Sequence, residues 1–373
     1  MTDALDCTPE RHSNCSTVGS PRRSFGAATD GVGMMDKGRV LVTGASGYIA
    51  GFIIQDLLAE GWTVRGTIRN LAKADAVRAA LGVSADQLEL AAADLMSDAG
   101  WDAAVASCRF IQHIASPLPV GVPKDENELI VPARDGALRV LRAAKAAGVE
   151  RVVMTSSTAA ICYGMTRASQ IFTEADWSDL TSADTYAYVK SKTIAERAAR
   201  DFMGREGAGM EFVTINPGMV LGPVMGGDFS GSLVVLTKLL DGALPGTPRF
   251  GFPIVDVRDI AAAHLTAMTT PGLDGERFLC AGKFLWMRDI ADILKSRLGD
   301  KAKRVPSRNI PDWLVRLLSR FDAEVRMVLP ELGRERICDA SHARERLGWV
   351  PRPPEESITD AARSLVAHGL VKA

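Results

Sequence analysis

Arg39-Val40-Leu41-Val42-Thr43 is followed by Gly44-Ala45-Ser46-Gly47-Tyr48-Ile49-Ala50-Gly51, and then by a helical pattern of Ile49, Phe52, Ile53, Leu57 and Leu58 that stops at Gly61. A β-rich run that breaks into glycines and reopens as an amphipathic helix has the order of a dinucleotide site: strand, turn, helix. Glycines let the backbone come close to a pyrophosphate, and the start of the helix offers free N–H groups and partial positive charge. The spacing is Gly-x-x-Gly-x-x-Ala, with the small Ala50 keeping helix and strand close.

Outward from this unit the chain alternates. Strands are predicted over Val40–Thr43, Thr63–Ile68, Leu88–Ala91, Phe110–Ile114, Arg151–Thr155 and Phe212–Asn216, with helical stretches between them. Such alternation implies an α/β fold, a doubly wound parallel sheet of Rossmann type, with ligands at the C-terminal ends of the strands. Asp94, Ala115, Ser157 and Pro217 fall at those ends. Past Pro217 the pattern loosens into glycine-rich loops. We expect a nucleotide-binding domain over 37–216 and a smaller substrate lobe made mainly of 217–373, some segments of which return to the first domain. Residues 1–36 are rich in Ser, Thr, Arg, Pro and Gly without apolar periodicity and read as a disordered tail; Met34 and Met35 offer an alternative start.

The end of the second strand bears on the nucleotide. In NAD-binding units an acidic residue about twenty positions past the glycines holds the ribose hydroxyls, whereas a basic one accommodates a 2′-phosphate. No Asp or Glu lies between Glu60 and Asp75. Arg69, with Lys73 a turn later, is the expected phosphate clamp and Arg65 its weaker rival, which points to NADP(H).

Tyr186-Ala187-Tyr188-Val189-Lys190-Ser191-Lys192 offers a Tyr-x-x-x-Lys spacing twice. Residues four apart on a helix share a face, so a phenol and an ammonium can act on one site, where the cation favours the phenolate. Continuing from Tyr188 and Lys192 gives Ala195 and Ala199, which suit packing on a sheet. Continuing from Tyr186 and Lys190 gives Thr193 and Arg197, a solvent face. Tyr188 and Lys192 are therefore the expected working pair. Thr155-Ser156-Ser157 ends a strand with hydroxyls, and Ser157 is the expected hydrogen-bonding partner of a substrate oxygen. His113 and His264 read as packed structural residues, and Trp286 and Trp313 as core. Gly-x-Ser-x-Gly is absent, which weakens a nucleophilic-serine reading.

Composition narrows the partners. With 44 basic and 45 acidic side chains the net charge is −1, so nucleic acid and anionic membranes have no electrostatic case. Cys7, Cys15, Cys108, Cys162, Cys280 and Cys338 form no C-x-x-C or Cys/His cluster, which suggests reduced thiols in a cytoplasmic protein and no metal site. No apolar run reaches the roughly twenty residues that span a bilayer.

Together these residues resemble the extended short-chain dehydrogenase/reductase family, in the branch of dihydroflavonol reductases, cinnamoyl-CoA reductases and methylglyoxal/aldehyde reductases. The resemblance runs from Arg39 to the C-terminus. It is carried by Thr43-Gly44-Ala45-Ser46-Gly47-Tyr48-Ile49, Thr67-Ile68-Arg69, Ala93-Asp94-Leu95, His113-Ile114-Ala115-Ser116-Pro117, Thr155-Ser156-Ser157, Tyr188 to Glu196, Asn216-Pro217-Gly218 and Asp256-Val257-Arg258-Asp259. In that branch the lysine precedes x-x-Ala-Glu, which selects Lys192, and the serine is the second of its pair, which selects Ser157. Ala50 departs from relatives that carry a third glycine.

The resemblance implies an NADPH-dependent carbonyl reductase. Tyr188 would donate the proton, Ser157 hold the developing oxyanion, and Lys192 bind the nicotinamide ribose. Thr43, Gly44, Ser46, Gly47, Tyr48, Ile49, Arg69, Lys73, Asp94, Leu95, Ile114, Ala115, Ser116, Pro217, Gly218 and Val220 would line the cofactor, with Asp94 and Leu95 beside the adenine. Pro117, Leu118, Leu221, Met225 and Phe229 would wall a mostly apolar substrate pocket, which suits an aryl or alkyl carbonyl. We expect a monomer or homodimer. A sugar-nucleotide epimerase or dehydratase that retains NAD is the alternative within the fold, and a non-catalytic dinucleotide sensor the alternative outside catalysis. Arg69 and the His113–Pro117 run weigh against the first, and the retained tyrosine and lysine against the second.

Overall fold

In the strand Arg39–Val42, Leu41 points to one face of a sheet while Val40 and Val42 point to the other, and all three are wholly buried. Apolar residues on both faces require cover on both faces, which parallel sheets obtain from their crossover helices. The computed structural model describes residues 37–117, 123–164, 167–182, 185–226 and 231–372. Its strands are β1 (Arg39–Val42), β2 (Thr63–Ile68), β3 (Leu88–Ala92), β4 (Cys108–His113), β5 (Arg151–Thr155), β6 (Ser169–Phe172), β7 (Glu211–Pro217), β8 (Met219–Leu221), β9 (Thr247–Pro248), β10 (Gly251–Asp256), β11 (Arg277–Cys280), β12 (Phe284–Trp286), β13 (Asn309–Ile310) and β14 (Glu335–Cys338). Seven of them form one sheet in the order β11-β7-β5-β4-β1-β2-β3. Every pairing in it is parallel.

From β1 the chain proceeds outward to β2 and β3, then crosses back to β4 on the other side. The β1/β4 boundary is therefore the switch point, where a crevice opens at the strand ends. Among the described residues the first seven α-helices are α1 (Tyr48–Ala59), α2 (Ala74–Leu81), α3 (Trp101–Val105), α4 (Asn127–Ala146), α5 (Ala187–Glu206), α6 (Gly231–Leu240) and α7 (Val257–Thr269), and on one face of the sheet α1 and α7 pack with Val40, Val42 and Val153. On the other, α3, α4 and α5 pack with Leu41, Ile111 and Val152. The six strands expected from sequence are β1 to β5 and β7. One edge strand of the sheet, β11, comes from beyond residue 217 and pairs with β7.

The remaining strands make small sheets, β12-β10-β8, β13-β9 and β14-β6. Among the described residues no helix is long and apolar enough to cross a membrane. Cys108, Cys162, Cys280 and Cys338 are free thiols, while Cys7 and Cys15 lie outside the described residues. One core expectation fails. Trp313 is 66% exposed, because the short helix Asp312–Leu318 that carries it buries only Val315. Trp286 is partly buried, edge-on to Phe284.

Candidate functional site

The β1–α1 turn passes over the end of β4. Gly44 has φ +69°, a left-handed conformation, and a Cβ there would stand 3.1 Å from the Ala115 Cβ. Beneath the turn, a Cβ on Gly66 of β2 would come within 2.6 Å of the Ala45 Cβ. The turn is fastened on both sides. Gly44 N–H donates to Thr67 Oγ1 at 3.0 Å and Ala45 N–H to the Thr67 carbonyl at 2.8 Å. Buried Thr43 accepts from Ile114 N–H and Ala115 N–H, each at 3.0 Å, and its hydroxyl also meets His113 Nδ1 at 3.0 Å. Ser46 and Gly47 are exposed, and Gly47 places no side-chain cap on α1, so the first-turn N–H groups face outward unpartnered by a side chain. Ala50 is fully buried and fits without disturbing the turn. Tyr48 supports the helix from below, its ring edge-on to Phe52 and its phenol pushed up by burial and by the Asp256 charge.

At the end of β2, Arg69 and Lys73 are exposed, and neither has an ion-pair partner among the described residues. The nearest following acid, Asp75, pairs with Arg78 at 3.2 Å. Arg65 is otherwise employed. It is buried, donates to the carbonyls of Ala103, Ala104 and Ala106 at 3.1, 2.9 and 2.8 Å, and pairs with Glu89 at 2.8 Å, closing the end of α3. Past β3, Asp94 accepts from Met96 N–H at 2.9 Å, and Leu95 packs against Gly136 of α4.

The hydroxyl and amine groups converge beyond β4 and β5. Ser157 accepts from Ala159 N–H at 3.0 Å and so caps the turn that follows β5. Burial pushes the Tyr188 phenol up, opposed by a hydrogen bond from Ser157. Lys192 Nζ donates to Ser116 Oγ at 3.0 Å and lies 5.9 Å from the Tyr188 ring centroid. Burial pushes the ammonium down to about 8 against the charge of Glu196. The sequence reading expected the cation to favour the phenolate. Here burial is the larger influence on the phenol, and the ammonium is turned to Ser116. His113 is a neutral imidazole, pushed down to about 3 by burial and by the Lys192 charge, and His264 is likewise buried between Thr155 and Gln112 at 2.9 and 2.8 Å.

The helix-face reading needs correction on its other side. Thr193 is fully buried and donates to the Val189 carbonyl at 2.8 Å, so it is not on a solvent face. Tyr186 precedes α5 as its cap residue and packs edge-on to Tyr163 at 5.8 Å, with burial pushing its phenol up. Lys190 pairs with Glu126 at 2.6 Å, and Arg197 is exposed over Trp177. Ala195 and Ala199 are buried against α4.

The expected pocket walls divide. Ile114, Ala115, Ser116 and Pro117 are partly exposed after β4, whereas Leu118 and Phe229 lie outside the described residues. Leu221 has no exposed surface. It pairs with Asp256 in the β8–β10 ladder and belongs to the core, so it cannot present a wall. Val220 beside it is also nearly buried. Met225 Sδ would meet a Cβ on Gly51 at 3.3 Å, which puts Met225 against α1. Pro217 is buried at the end of β7 and Gly218 partly exposed after it. Sequence reasoning gave no role to Glu196, which lies fully buried behind Lys192. Apart from Arg200 on its own helix, its partners come from the end of β5, from β7 and from β11, and only the tetrapeptide after Lys192 marked it.

The sequence matches the NAD dependent epimerase/dehydratase family over residues 40–281. It is 37% identical over 254 residues to cinnamoyl-CoA reductase CAD2 of Medicago truncatula, which covers 64% of this chain and 75% of that protein. It is 29% identical over 279 residues to dihydroflavonol 4-reductase of Zea mays, covering 72% and 76%. The fold superposes on yeast methylglyoxal/isovaleraldehyde reductase Gre2 complexed with NADPH, with TM-score 0.75 and 27% identity over 89% of this chain and 100% of that one.

Proposed function

Because the chain belongs to the NAD dependent epimerase/dehydratase family, in the extended short-chain dehydrogenase/reductase branch, we propose that it reduces a ketone or aldehyde to an alcohol with NADPH, Tyr188 giving the proton. The observation that carries this reading is the constellation beyond β4 and β5: the Tyr188 phenol, pushed up by burial and drawn down by Ser157, with the Lys192 ammonium 5.9 Å from its ring and anchored on Ser116. Bound NADPH supplies the hydride. The chain's own groups do the rest. Ser157 orients the carbonyl oxygen and stabilises negative charge as it develops there. Tyr188 donates its proton to that oxygen, and Lys192, anchored on Ser116, supports the phenolate left behind.

The residues suit the cofactor. The Thr43–Ile49 turn would hold the pyrophosphate, Arg69 and Lys73 the 2′-phosphate, Asp94 and Leu95 the adenine, and Lys192 the nicotinamide ribose, with Pro217 and Gly218 beside the nicotinamide. Two unpaired cations and no carboxylate at the end of β2 favour NADPH over the retained NAD of an epimerase. We assign 37–216 to nucleotide binding and most of 217–373 to the substrate, with β11 and α7 returned to the main sheet.

The test is absorbance at 340 nm with NADPH or NADH and a panel of aromatic aldehydes, diketones, ketoesters and flavonoid-like ketones. Carbonyl-dependent NADPH oxidation is expected. Its absence across the panel, or cofactor bound so tightly that it never exchanges, would overturn the reading.

A further inference from the structure

We infer that Glu196 is a positioning residue of this site, joining the serine-bearing end of β5 to the lysine-bearing helix and placing a negative charge one helical turn from Lys192. The inference rests on the reductase reading above. Glu196 lies one helical turn past Lys192 on α5 and has no exposed surface. Its Oε2 accepts from Ser156 Oγ at 2.5 Å and from Asn216 Nδ2 at 2.8 Å. Its Oε1 accepts from Arg277 Nε at 2.7 Å, Arg200 Nε at 3.2 Å and Thr214 Oγ1 at 3.3 Å. Asn216 Nδ2 also donates to the Ser157 carbonyl at 3.3 Å. Ser157 is thus held twice, through its neighbour Ser156 and through Asn216, by one carboxylate.

All five neighbours act as donors. An ionised carboxylate only accepts, so it suits this ring, whereas an amide would turn its own N–H groups toward donors. Burial alone would raise the Glu196 carboxyl, but Arg277, Arg200 and the hydrogen bonds of Ser156 and Arg277 outweigh it and hold it below the usual range. The groups facing Lys192 are the Tyr188 phenol and Ser116, the neutral His113 of β4, and Glu196 from its own helix. Those facing Glu196 are Arg200 of α5 and Arg277 of β11. Arg200 is further bonded to the Glu276 carbonyl, and Arg277 to the carbonyls of Glu174 and Asp176. The two guanidiniums are its direct counter-ions, and the carboxylate, one helical turn away, also supports the Lys192 ammonium against burial.

The test compares Glu196→Gln and Glu196→Asp with the unaltered protein, recording kcat/KM against pH and, separately, NADPH affinity against pH by fluorescence titration. In Glu196→Gln the alkaline limb of both profiles should move down by about one pH unit, the size of one neighbouring charge, and kcat should fall about tenfold. In Glu196→Asp the charge remains, so the limb should stay in place, while the carboxylate drawn back from Ser156 and Asn216 should lower kcat. Unmoved profiles in Glu196→Gln, or equal shifts in both variants, would overturn the inference. If circular dichroism shows Glu196→Gln unfolded, Glu196→Asp decides, and an unchanged kcat there refutes the positioning role. If the unaltered protein binds NADPH but turns over no carbonyl, the reductase reading fails, and the affinity profile still judges Glu196.

Discussion

The end of β2 and the ground behind Tyr188 are opposite kinds of surface. At the first, Arg69 and Lys73 stand in solvent with no ion-pair partner among the described residues. At the second, Ser157, Ser156, Asn216 and Glu196 are buried and bonded to one another, and buried Lys192 is bonded to Ser116. Folding gains nothing from the exposed cations, since a solvated ammonium or guanidinium loses nothing by waiting. The buried groups are costly to leave unpaired, so folding and chemistry depend on the same bonds. Changes at the first surface should alter affinity without altering stability, and changes at the second should mix the two.

The sharpest test of the buried side is Tyr188→Phe. Loss of the proton donor should lower turnover by about 10²–10⁴, with NADPH affinity by fluorescence close to that of the unaltered protein. Substantial turnover would mean that another group gives the proton. On the exposed side, Arg69→Ala should raise the KM for NADPH about tenfold or more and leave that for NADH unchanged. A charge-assisted contact of roughly 1.5–3 kcal/mol sets that scale. The thermal midpoint should not move. Equal effects on the two cofactors, or a lowered midpoint, would erase the contrast between the surfaces.

Acidity sharpens it further. Burial lowers Lys192 from 10.5 to about 8, so turnover should decline above about pH 8 as the ammonium is lost. Over the same window the unfolded chain holds more protons than the folded one, so this group's contribution to stability rises from about pH 8 to 10.5. Activity and the lysine's share of stability should therefore diverge, which parallel pH series of kcat and of urea unfolding would reveal. Tyr186→Phe should be mild, at about 1 kcal/mol of stability for one hydrogen bond to Tyr163 and a few-fold in rate. Smallest of all, a chain beginning at Met35 should keep its midpoint and turnover, because 1–36 carries no apolar periodicity.

Sequence and structure agree where a signal is local. Six strands and the glycine turn could be read because each is a contiguous pattern, and the structure places Lys192 Nζ 5.9 Å from the Tyr188 ring. β11 could not, because Arg277–Cys280 is four residues long and becomes a strand only by pairing with β7. The face assignment of α5 was half right. Ala195 and Ala199 pack on α4, but the helix is also covered across Thr193 by the turn after β5, and Tyr186 precedes the helix, so one-sided amphipathicity does not apply. Leu221 and Trp313 depart from their expected places for the same reason in opposite directions. Their burial is set by neighbouring strands and by a short helix's orientation, not by their own side chains.

Arg277 adds a consequence in time. It meets the Glu196 carboxylate from a point 81 residues later in the chain. A ribosome that has released α5 has not yet made this counter-cation. Until β11 emerges, the buried carboxylate has Arg200 of its own helix but not the second guanidinium, and the edge of the sheet beside β7 stands open. An unfinished chain therefore carries every residue of the proposed chemistry without the setting that holds them, and the centre is completed only when the polypeptide has returned from its later lobe.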